Sequence, residues 1–289
     1  MTPTTIDQYL EQLRSAMRND DPALTQDALY DAEEYLRAEL AQHPGQPASE
    51  VLRTIVASYG APEEVAAAYR ETENQVAQAL RTPTRTPSGS ALGRLFGVFV
   101  DPKTYAAMFY MLLALATGIL YFTVVITGLS VSIGLAITLI GIPFFLLFLA
   151  LVRVLSLVEG RVVEVMLDVR MPRRPVYRDT EQGLWARIGG MFTDERTWTT
   201  MLYMVLQLPL GIAYFVLVVA GLSVSLSLVA APLAVLFGAS LWLGNGAMPV
   251  YLFPFVSLAG VALLLLTLHA CRGIAGFHGA LAKYLLVRN

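Results

Sequence analysis

Five polar side chains stand out in the most apolar part of this 289-residue chain. Tyr110 and Tyr121 are 11 residues apart, and so are Tyr203 and Tyr214. Eleven residues are close to three helical turns, so each pair lies on one helix face. The pairs predict either packing across a helix bundle or the lining of a cavity for a lipid or small molecule. Gln207 is a side-chain amide in the same region, which is typical of interhelical hydrogen bonding and, less often, of a functional site.

No other group of residues has the spacing of a catalytic, cofactor-binding or metal site. His43, His269 and His278 are scattered, and Cys271 is the one cysteine, which excludes a disulfide framework and a thiolate metal cluster. We also find no phosphate-binding glycine loop and no nucleophile with a base at suitable spacing. The sequence therefore predicts that the protein is not an enzyme and has no cofactor and no metal.

The carboxylates are concentrated at the N-terminus, where residues 1–75 contain 14 Asp and Glu against five Arg. Their apolar residues recur at helical spacing, and Gly60 followed by Pro62 marks a helix junction. We expect three or four short helices with a small shared core. The acidic surface is typical of a solvated face or of a docking face for a basic cytoplasmic partner, and it repels nucleic acid. The candidate docking residues are Asp27, Asp31, Glu33, Glu34 and Glu39.

Charged residues are missing from two long blocks of the chain. Hydrophobic residues make up 56% of the sequence, the mean hydropathy is +0.58, and charged residues make up 15%. There is no Asp, Glu, Lys or Arg in the 49 residues between Lys103 and Arg153 or in the 75 residues between Arg196 and Arg272. A soluble fold could not keep such blocks from water, so the sequence predicts a multi-pass membrane protein, and the cavity would be intramembrane. The polar N-terminus predicts no cleavable signal peptide.

The two uncharged blocks are similar to each other. A shift of 93 residues aligns residues 101–133 with residues 194–226 and gives 17 identities in 33 positions. The ends of the two halves, LDVR at 167–170 and LLVR at 285–288, align at a shift of 118 instead. The difference between 118 and 93 is an insertion of 25 residues in the second half. These matches predict an internal duplication.

The duplication decides the predicted topology, because each half then crosses the membrane twice. The basic residues flank both blocks, which places both flanks and both chain termini in the cytoplasm, in parallel repeats. A fifth crossing near 223–243 is the alternative, but it would put Arg272, Lys283 and Arg288 outside. The insertion at 227–253 would cap the outer surface or re-enter partway. The four predicted spans are about 104–127, 131–153, 198–221 and 250–271.

The predicted fold is all-α, with a small N-terminal helical domain and a polytopic bundle of four transmembrane helices built from two parallel repeats. No charged residue lies within the predicted spans, which argues against a secondary transporter. Amphipathic segments flank the spans, and residues 272–288 place Ile274, Phe277, Leu281, Tyr284 and Leu285 on one face. The predicted divisions are a soluble domain at 1–75, a linker at 76–92, repeat 1 at 93–170, a cytoplasmic linker at 171–183 and repeat 2 at 184–289.

The N-terminal module resembles the HAAS signalling domain over roughly residues 5–72. The resemblance rests on DALYDAEEYLRAEL in the acidic region and on YGAPEEVAAAY at residues 59–69. The family usually has Asp where this chain has Ala61, so the helix that follows has a weaker cap. The resemblance implies a small helical signalling domain of bacterial membrane proteins, often linked to PadR-type transcription regulators.

Residues 94–289 resemble the sensor transmembrane domain found at the N-terminus of many actinobacterial histidine kinases, here without the kinase. The resemblance rests on LIGIPFFLL and HACRGIAGFHGALAKYLL, and on the segments that begin at Asp101 and Asp194, DPKTYAAMFYMLLALATGILYF and DERTWTTMLYMVLQLPLGIAYFVLVV. It implies signalling and does not name the signal.

The sequence thus predicts a non-enzymatic sensor in the cell membrane. It would couple an envelope or lipid stimulus to a cytoplasmic regulatory protein, plausibly of the PadR type. Membrane lipids are the other expected partners, and nucleic acid is not a direct one. The alternatives are a permease or lipid-handling protein, and a structural subunit, either as a homodimer or within a transport complex.

Overall fold

The computed structural model describes residues 3–80, 91–138, 140–173, 194–237, 242–243 and 246–287. Residues 81–90 of the predicted linker, residues 174–183 of the predicted cytoplasmic linker and residues 184–193 of predicted repeat 2 lie outside the described residues. The chain divides into two compact units. The N-terminal unit comprises residues 1–85, 170–196 and 286–289, and the membrane unit comprises residues 86–169 and 197–285.

The described part of the chain is helical apart from one short hairpin, which confirms the all-α prediction. In the hairpin, strand β1 (Trp242–Leu243) pairs antiparallel with strand β2 (Gly246–Ala247). Single 3₁₀ turns lie at Gly97–Phe99 and Val250–Leu252. The helices are α1 (Ile6–Ala16), α2 (Pro22–Ala41), α3 (Ala48–Tyr59), α4 (Pro62–Leu80), α5 (Ala91–Phe96), α6 (Pro102–Gly134), α7 (Gly141–Leu167), α8 (Glu195–Leu236) and α9 (Phe253–Leu286).

Side-chain caps and one glycine define the helices of the N-terminal unit. The Asp21 side chain accepts a hydrogen bond from the Ala23 N–H at the start of α2. Gly60, with a φ of +114°, ends α3 in a conformation that favours glycine. At the start of α4, the Glu64 carboxylate accepts a hydrogen bond from the Ala61 N–H, as in half of a capping box.

The N-terminal helices share one apolar core. Its fully buried members include residues from α1, α2, α3 and α4. Tyr9 reaches across this core, where its hydroxyl donates a hydrogen bond to the Gly60 carbonyl oxygen. Burial of these side chains is the main stabilising contribution to a domain of this size. The core residues include Tyr9, Leu13, Met17, Leu36, Leu52, Ile55 and Ala66.

Four helices, α6 to α9, are long and apolar enough to cross a membrane. This finding confirms the predicted number of spans, whereas the two-repeat relationship stays a prediction. Two of the helices continue beyond the predicted spans because no proline interrupts residues 153–167 or 272–286, and the glycines in these segments stay within the helix. Helix α7 therefore continues to Leu167, and α9 continues to Leu286. Helix α8 continues through Pro232 to Leu236, so the first part of the predicted insertion at 227–253 is helical.

Glycines allow close packing within each pair of neighbouring membrane helices. A β-carbon added at Gly128 on α6 would overlap the Phe148 ring on α7. A β-carbon added at Gly221 on α8 would lie 2.7 Å from a methyl carbon of Thr267 on α9. At the open end of the α6–α7 pair, Lys103 forms an ion pair with Asp168. Small residues at such contacts let membrane helices approach closely.

Candidate functional site

Seven polar side chains meet inside the membrane unit, and we call this group the membrane polar cluster. All four spanning helices contribute to it, and each side chain is buried. The members are Tyr110 and Tyr121 from α6, Glu159 from α7, Tyr203, Gln207 and Tyr214 from α8, and His278 from α9.

The carboxylate of Glu159 is the main acceptor in this cluster. Its Oε1 atom accepts hydrogen bonds from the hydroxyls of Tyr110 at 2.8 Å and Tyr203 at 2.9 Å. Its Oε2 atom accepts a hydrogen bond from the Tyr121 hydroxyl at 2.8 Å. The Gln207 amide nitrogen lies at the limit of hydrogen bonding, 3.5 Å from Oε1. Glu159 has no exposed surface, so protein donors replace the water that a carboxylate would otherwise require.

The imidazole of His278 lies on the other side of the same phenols. Its Nε2 atom is 2.6 Å from the Tyr110 hydroxyl and 3.0 Å from the Tyr203 hydroxyl. Its Nδ1 atom is 3.2 Å from the Tyr214 hydroxyl. Tyr110 and Tyr203 therefore contact the acid and the imidazole together, and each bridges Glu159 to His278.

The five residues proposed from the sequence as cavity lining all lie in this cluster. The structure brings them together through Glu159 and His278, two residues that the sequence analysis did not select. Glu159 lies beyond the predicted second span at 131–153 but within helix α7, and it contacts three tyrosines of α6 and α8. Whether the group also encloses a ligand cavity stays a proposal.

The helical spacing of Glu159 and His278 carried a signal that could have identified both residues. Glu159 is seven residues after Val152 and four residues before Val163, and these three side chains share one buried face of α7. His278 has the same relation to Cys271 and Ala282 on α9, and all three are fully buried. A polar residue at helical spacing among buried apolar residues faces the interior of a bundle.

The outward face of α9 carries two of the large apolar residues of the predicted amphipathic segment. The sequence placed Phe277 and Tyr284 on an apolar face that would anchor the helix at the interface. In the structure, 61% of the Phe277 surface and 72% of the Tyr284 surface are exposed. In a membrane helix the large apolar side chains can face lipid, whereas small and polar residues pack inside. The face of α9 that packs within the protein is therefore the one that carries His278.

The acidic helix α2 of the N-terminal unit already holds a basic segment of the same chain. Asp27 is buried, and its Oδ2 atom lies 3.2 Å from a guanidinium nitrogen of Arg170. Its Oδ1 atom accepts a hydrogen bond from the Arg173 backbone N–H at 2.7 Å. Next to it, the Gln26 side-chain oxygen accepts a hydrogen bond of 3.1 Å from Arg196. We call the contact between Asp27 and residues 170–173 the arginine latch.

The other candidate docking residues have different surroundings. Asp31 accepts a hydrogen bond of 2.7 Å from the Tyr69 hydroxyl, and Glu33 forms an ion pair with Arg37. Burial, followed by this hydrogen bond to Asp31, raises the pKa of the Tyr69 phenol. Glu34 is exposed, and Glu39 is half-buried. The structure therefore leaves Glu34 as an exposed part of the acidic face, whereas Asp27 and Asp31 are tied into the fold.

Neither site has the composition of a metal centre or of a catalytic nucleophile. In the described ranges, no group of three or more His, Cys, Asp and Glu side chains is placed to hold a metal ion. The membrane polar cluster can donate, accept and share protons. The arginine latch can exchange one ion pair for another. These two capacities are the chemistry that the described residues offer.

Comparison with known families matches both parts of the chain. The family described as "Putative sensor" matches residues 110–286, more than half of the chain, and the HAAS family matches residues 8–68. No curated protein matches the chain, and no solved structure matches it. The sensor match contains the whole membrane polar cluster, and the HAAS match contains Asp27. The chain therefore belongs to the sensor family of membrane signalling proteins and carries a HAAS domain at its N-terminus.

Proposed function

We propose that this protein couples a stimulus in the cell envelope or its lipids to a cytoplasmic partner that docks on the acidic face of the HAAS domain. The plausible partner is a PadR-type transcription regulator, with its docking segment basic. The soluble domain at 1–75 and both chain termini would lie in the cytoplasm, and the four-helix bundle would receive the stimulus. A homodimer would also be compatible with this function.

The arginine latch is the observation that carries this proposal. Arg170 follows the end of α7 by only three residues, and its guanidinium group binds Asp27 of the HAAS domain. A movement of α7 would therefore pull directly on the group that occupies the acidic face. Arg170 also forms an ion pair with Glu73. Release of Arg170 from Asp27 would remove one cation from the acidic face, which a basic partner could then replace. The latch would thus compete with the partner for Asp27.

Co-purification from native membranes tests this function. The full-length protein with an affinity tag is isolated from its host, and the recovered PadR-type regulator is quantified by mass spectrometry. Replacement of Arg170 by Gln removes the competing cation, so the recovered regulator should increase several-fold. Replacement of Asp27 by Asn removes the docking carboxylate and should reduce recovery. Glu50→Gln is a charge-matched control, because Glu50 is exposed on α3 and is not one of the candidate docking residues.

Two results would contradict the proposal. The first is that membranes with an intact HAAS domain yield no transcription regulator. The second is equal recovery after deletion of residues 1–80, since the regulator would then bind elsewhere. Equal recovery with all three point variants would show that the latch does not control docking.

A permease or lipid-handling protein is the second candidate, and the membrane polar cluster supports it. An ionisable side chain inside a span often marks a substrate or ion pathway, and Glu159 is such a residue. Substrate flux into proteoliposomes that persists without residues 1–80 would favour this candidate. Flux that is absent in the wild-type protein would favour signalling.

A further inference from the structure

The membrane polar cluster has to be stable without water. Glu159 and His278 have no exposed surface, and their neighbours come from all four spanning helices. A net charge in such a low-dielectric place is strongly unfavourable unless it is compensated nearby. The number of protons in the cluster therefore determines whether its net charge is compatible with the membrane.

Counting hydrogens restricts how those protons are arranged. Each phenol has one proton to donate, and a neutral imidazole has one N–H. When Tyr110 and Tyr203 both donate to Glu159, their oxygens can only accept from His278. The Nε2 atom must then carry a hydrogen. The Nδ1 atom can accept the hydrogen of the Tyr214 hydroxyl, which leaves His278 neutral, or donate a second hydrogen to that hydroxyl. In the arrangement with the second hydrogen, His278 is an imidazolium that compensates the Glu159 carboxylate.

A second arrangement has the same total number of protons. The phenol proton of Tyr203 moves onto Oε1 of Glu159, and the Nε2 proton of His278 moves onto the Tyr203 oxygen. The O–H and N–H bonds that break are matched by two O–H bonds that form, and no electron is transferred. The cluster then contains a neutral carboxylic acid and a neutral imidazole. Both arrangements have zero net charge.

We propose that Glu159 and His278 form a proton-binding site that holds one proton, shared between the carboxylate and the imidazole through Tyr110 and Tyr203. This inference goes beyond the signalling function, because it depends on the membrane polar cluster and not on any cytoplasmic partner. The site has a donor or acceptor from every helix packed around it. These groups are Tyr110 and Tyr121 on α6, Glu159 on α7, Tyr203, Gln207 and Tyr214 on α8, and His278 on α9.

The Gln207 side chain gives a separate indication that the cluster can bind something more. Its nitrogen donates a hydrogen bond to the Tyr110 hydroxyl at 3.3 Å. Its Oε1 atom is buried and has no hydrogen-bond partner among the described residues. A buried amide oxygen without a partner is uncommon in proteins. It is a ready acceptor for a group that delivers or removes the proton.

Loss of the shared proton would change the hydrogen bonds between the helices. The cluster would carry a net charge of −1, and His278 Nε2, once without its hydrogen, would accept a hydrogen bond from one bridging phenol. Glu159 would then lose one of its donors at the moment when its charge is no longer compensated. The four helices would have to rearrange or admit water to compensate for it. Proton binding would thus be coupled to helix packing.

Magnetic resonance and infrared spectroscopy together count the protons. The chain has three histidines, so the double variant His43→Gln/His269→Gln leaves His278 as the one nitrogen-labelled imidazole. Both replaced residues lie outside the cluster, where each ring binds a backbone carbonyl of its own helix turn. Nitrogen chemical shifts at pH 7 in lipid nanodiscs distinguish an imidazolium from a neutral ring. The infrared carbonyl band of a protonated carboxylic acid, absent in Glu159→Gln, reports on Glu159.

Each combined result supports or overturns the proposal. One shared proton is present if His278 is an imidazolium and the carbonyl band of the carboxylic acid is absent, or if His278 is neutral and the band is present. Either result supports the proposal. A neutral imidazole with an ionised carboxylate gives none, and an imidazolium with the acid band gives two; either result overturns it. The wild-type band and the shifts decide the count, so it does not depend on whether Glu159→Gln folds.

A pair of tyrosine variants tests the bridge itself. Tyr110→Phe/Tyr203→Phe removes both bridging hydroxyls and should change the His278 nitrogen shifts. Tyr105→Phe is the matched control, because Tyr105 is an exposed tyrosine on α6 that binds the Phe99 carbonyl oxygen. Unchanged His278 shifts in the double variant would overturn the role of the phenols. If the double variant fails to fold, the two single variants give the same comparison.

Discussion

Gly118 and Gly211 make reciprocal contacts where α6 and α8 touch. A β-carbon on Gly118 would lie 2.7 Å from the Gln207 carbonyl oxygen, and one on Gly211 would overlap the carbonyl oxygen of Ala114. Gly118 and Gly211 are 93 residues apart, and so are Ala114 and Gln207. The 93-residue shift that predicts the duplication thus also relates the contact of Gly118 with Gln207 to the contact of Gly211 with Ala114, with the two helices exchanged.

We expect Gly118→Ala and Gly211→Ala to destabilise the membrane unit. Each added methyl group meets backbone, which cannot move aside as a flexible side chain could, so the loss should be about 1–3 kcal/mol. The loss of stability is measured as a lower thermal unfolding temperature in detergent, with unfolding monitored by size-exclusion chromatography. Gly273→Ala is the control, since nothing lies within 4 Å of its added β-carbon. A control as unstable as the two variants would disprove the packing explanation.

Tyr121→Phe should destabilise the membrane unit by about 1–2 kcal/mol, because Glu159 Oε2 loses a buried hydrogen-bond donor. The same unfolding measurement applies, with Tyr284→Phe as a control because that ring is largely exposed. Equal unfolding temperatures for Tyr121→Phe and the wild type would mean that this hydrogen bond has no net effect on stability.

The N-terminal unit should lose stability at alkaline pH. Burial raises the pKa of Tyr69 above its usual value, with Asp31 adding to the effect, and burial also raises the pKa of Tyr9. The folded state therefore favours the neutral phenols. Their contribution is complete below the unfolded pKa of about 10 and is lost as pH rises above it. Circular dichroism of the full-length protein from pH 8 to pH 11.5 should show this loss.

Tyr69→Phe provides the comparison for this pH dependence. The variant lacks one of the three phenols whose pKa is raised in this unit, those of Tyr9, Tyr59 and Tyr69, so its stability should fall less steeply above pH 10. It should also be about 1 kcal/mol less stable at pH 8, because Asp31 loses a hydrogen bond. An identical slope in both proteins would contradict the assignment to Tyr69.

The arginine latch should show energetic coupling between its two ends. Asp27→Asn and Arg170→Gln each remove the ion pair between the two side chains, although Arg170 also pairs with Glu73 and Asp27 also accepts from the Arg173 N–H, so each should expose residues 170–173 more to protease or hydrogen exchange. In a double-mutant cycle, the coupling free energy should reach about 1 kcal/mol or more. Glu34→Gln with Arg170→Gln gives the reference cycle, and a coupling as small as that reference would count against the latch.

The topology can be tested by cysteine labelling. Cys271 is buried and is the one native cysteine, so Cys271→Ser gives a background without thiols. In intact cells, an impermeant maleimide should label Gly246→Cys at the hairpin but not Gln46→Cys in the HAAS domain. Both should react after the membrane is permeabilised. Labelling of Gln46→Cys in intact cells would place the HAAS domain outside.

The number of spanning helices and the small helical domain could be predicted because they depend on local sequence. Long runs without charge require a membrane, and the residues around Gly60 and Pro62 mark a helix junction whatever surrounds them. Helix ends could not be predicted as well. The sequence analysis ended the second span at Arg153, because a charge was taken as the limit of the membrane. The helix continues to Leu167 because backbone hydrogen bonding does not stop at a charged residue.

The membrane polar cluster shows why two of its seven side chains, Glu159 and His278, were not identified from the sequence. The tyrosines were recognised because they repeat at regular spacing within the apolar blocks. Glu159 and His278 lie next to basic residues, Arg161 and Arg272 among them, and a charge-based limit assigned them to the interface. Only the packing of four helices brings them to the phenols, and no spacing along one helix encodes those contacts. The exchange of hydrogen bonds across helices is therefore known only from the fold.

Helix α8 has a mechanical consequence that follows from its length. Its 42 residues rise about 63 Å, roughly twice the thickness of the hydrocarbon core of a bilayer. Helix α8 is therefore longer than the hydrocarbon core is thick, so part of the helix extends beyond the hydrocarbon. Near its first residue, Arg196 holds Gln26 of the HAAS domain, and near its last, Pro232 allows it to bend. Pro209 lies between these two ends and lacks a backbone N–H, so α8 is one unbroken helix with two positions at which its axis can bend.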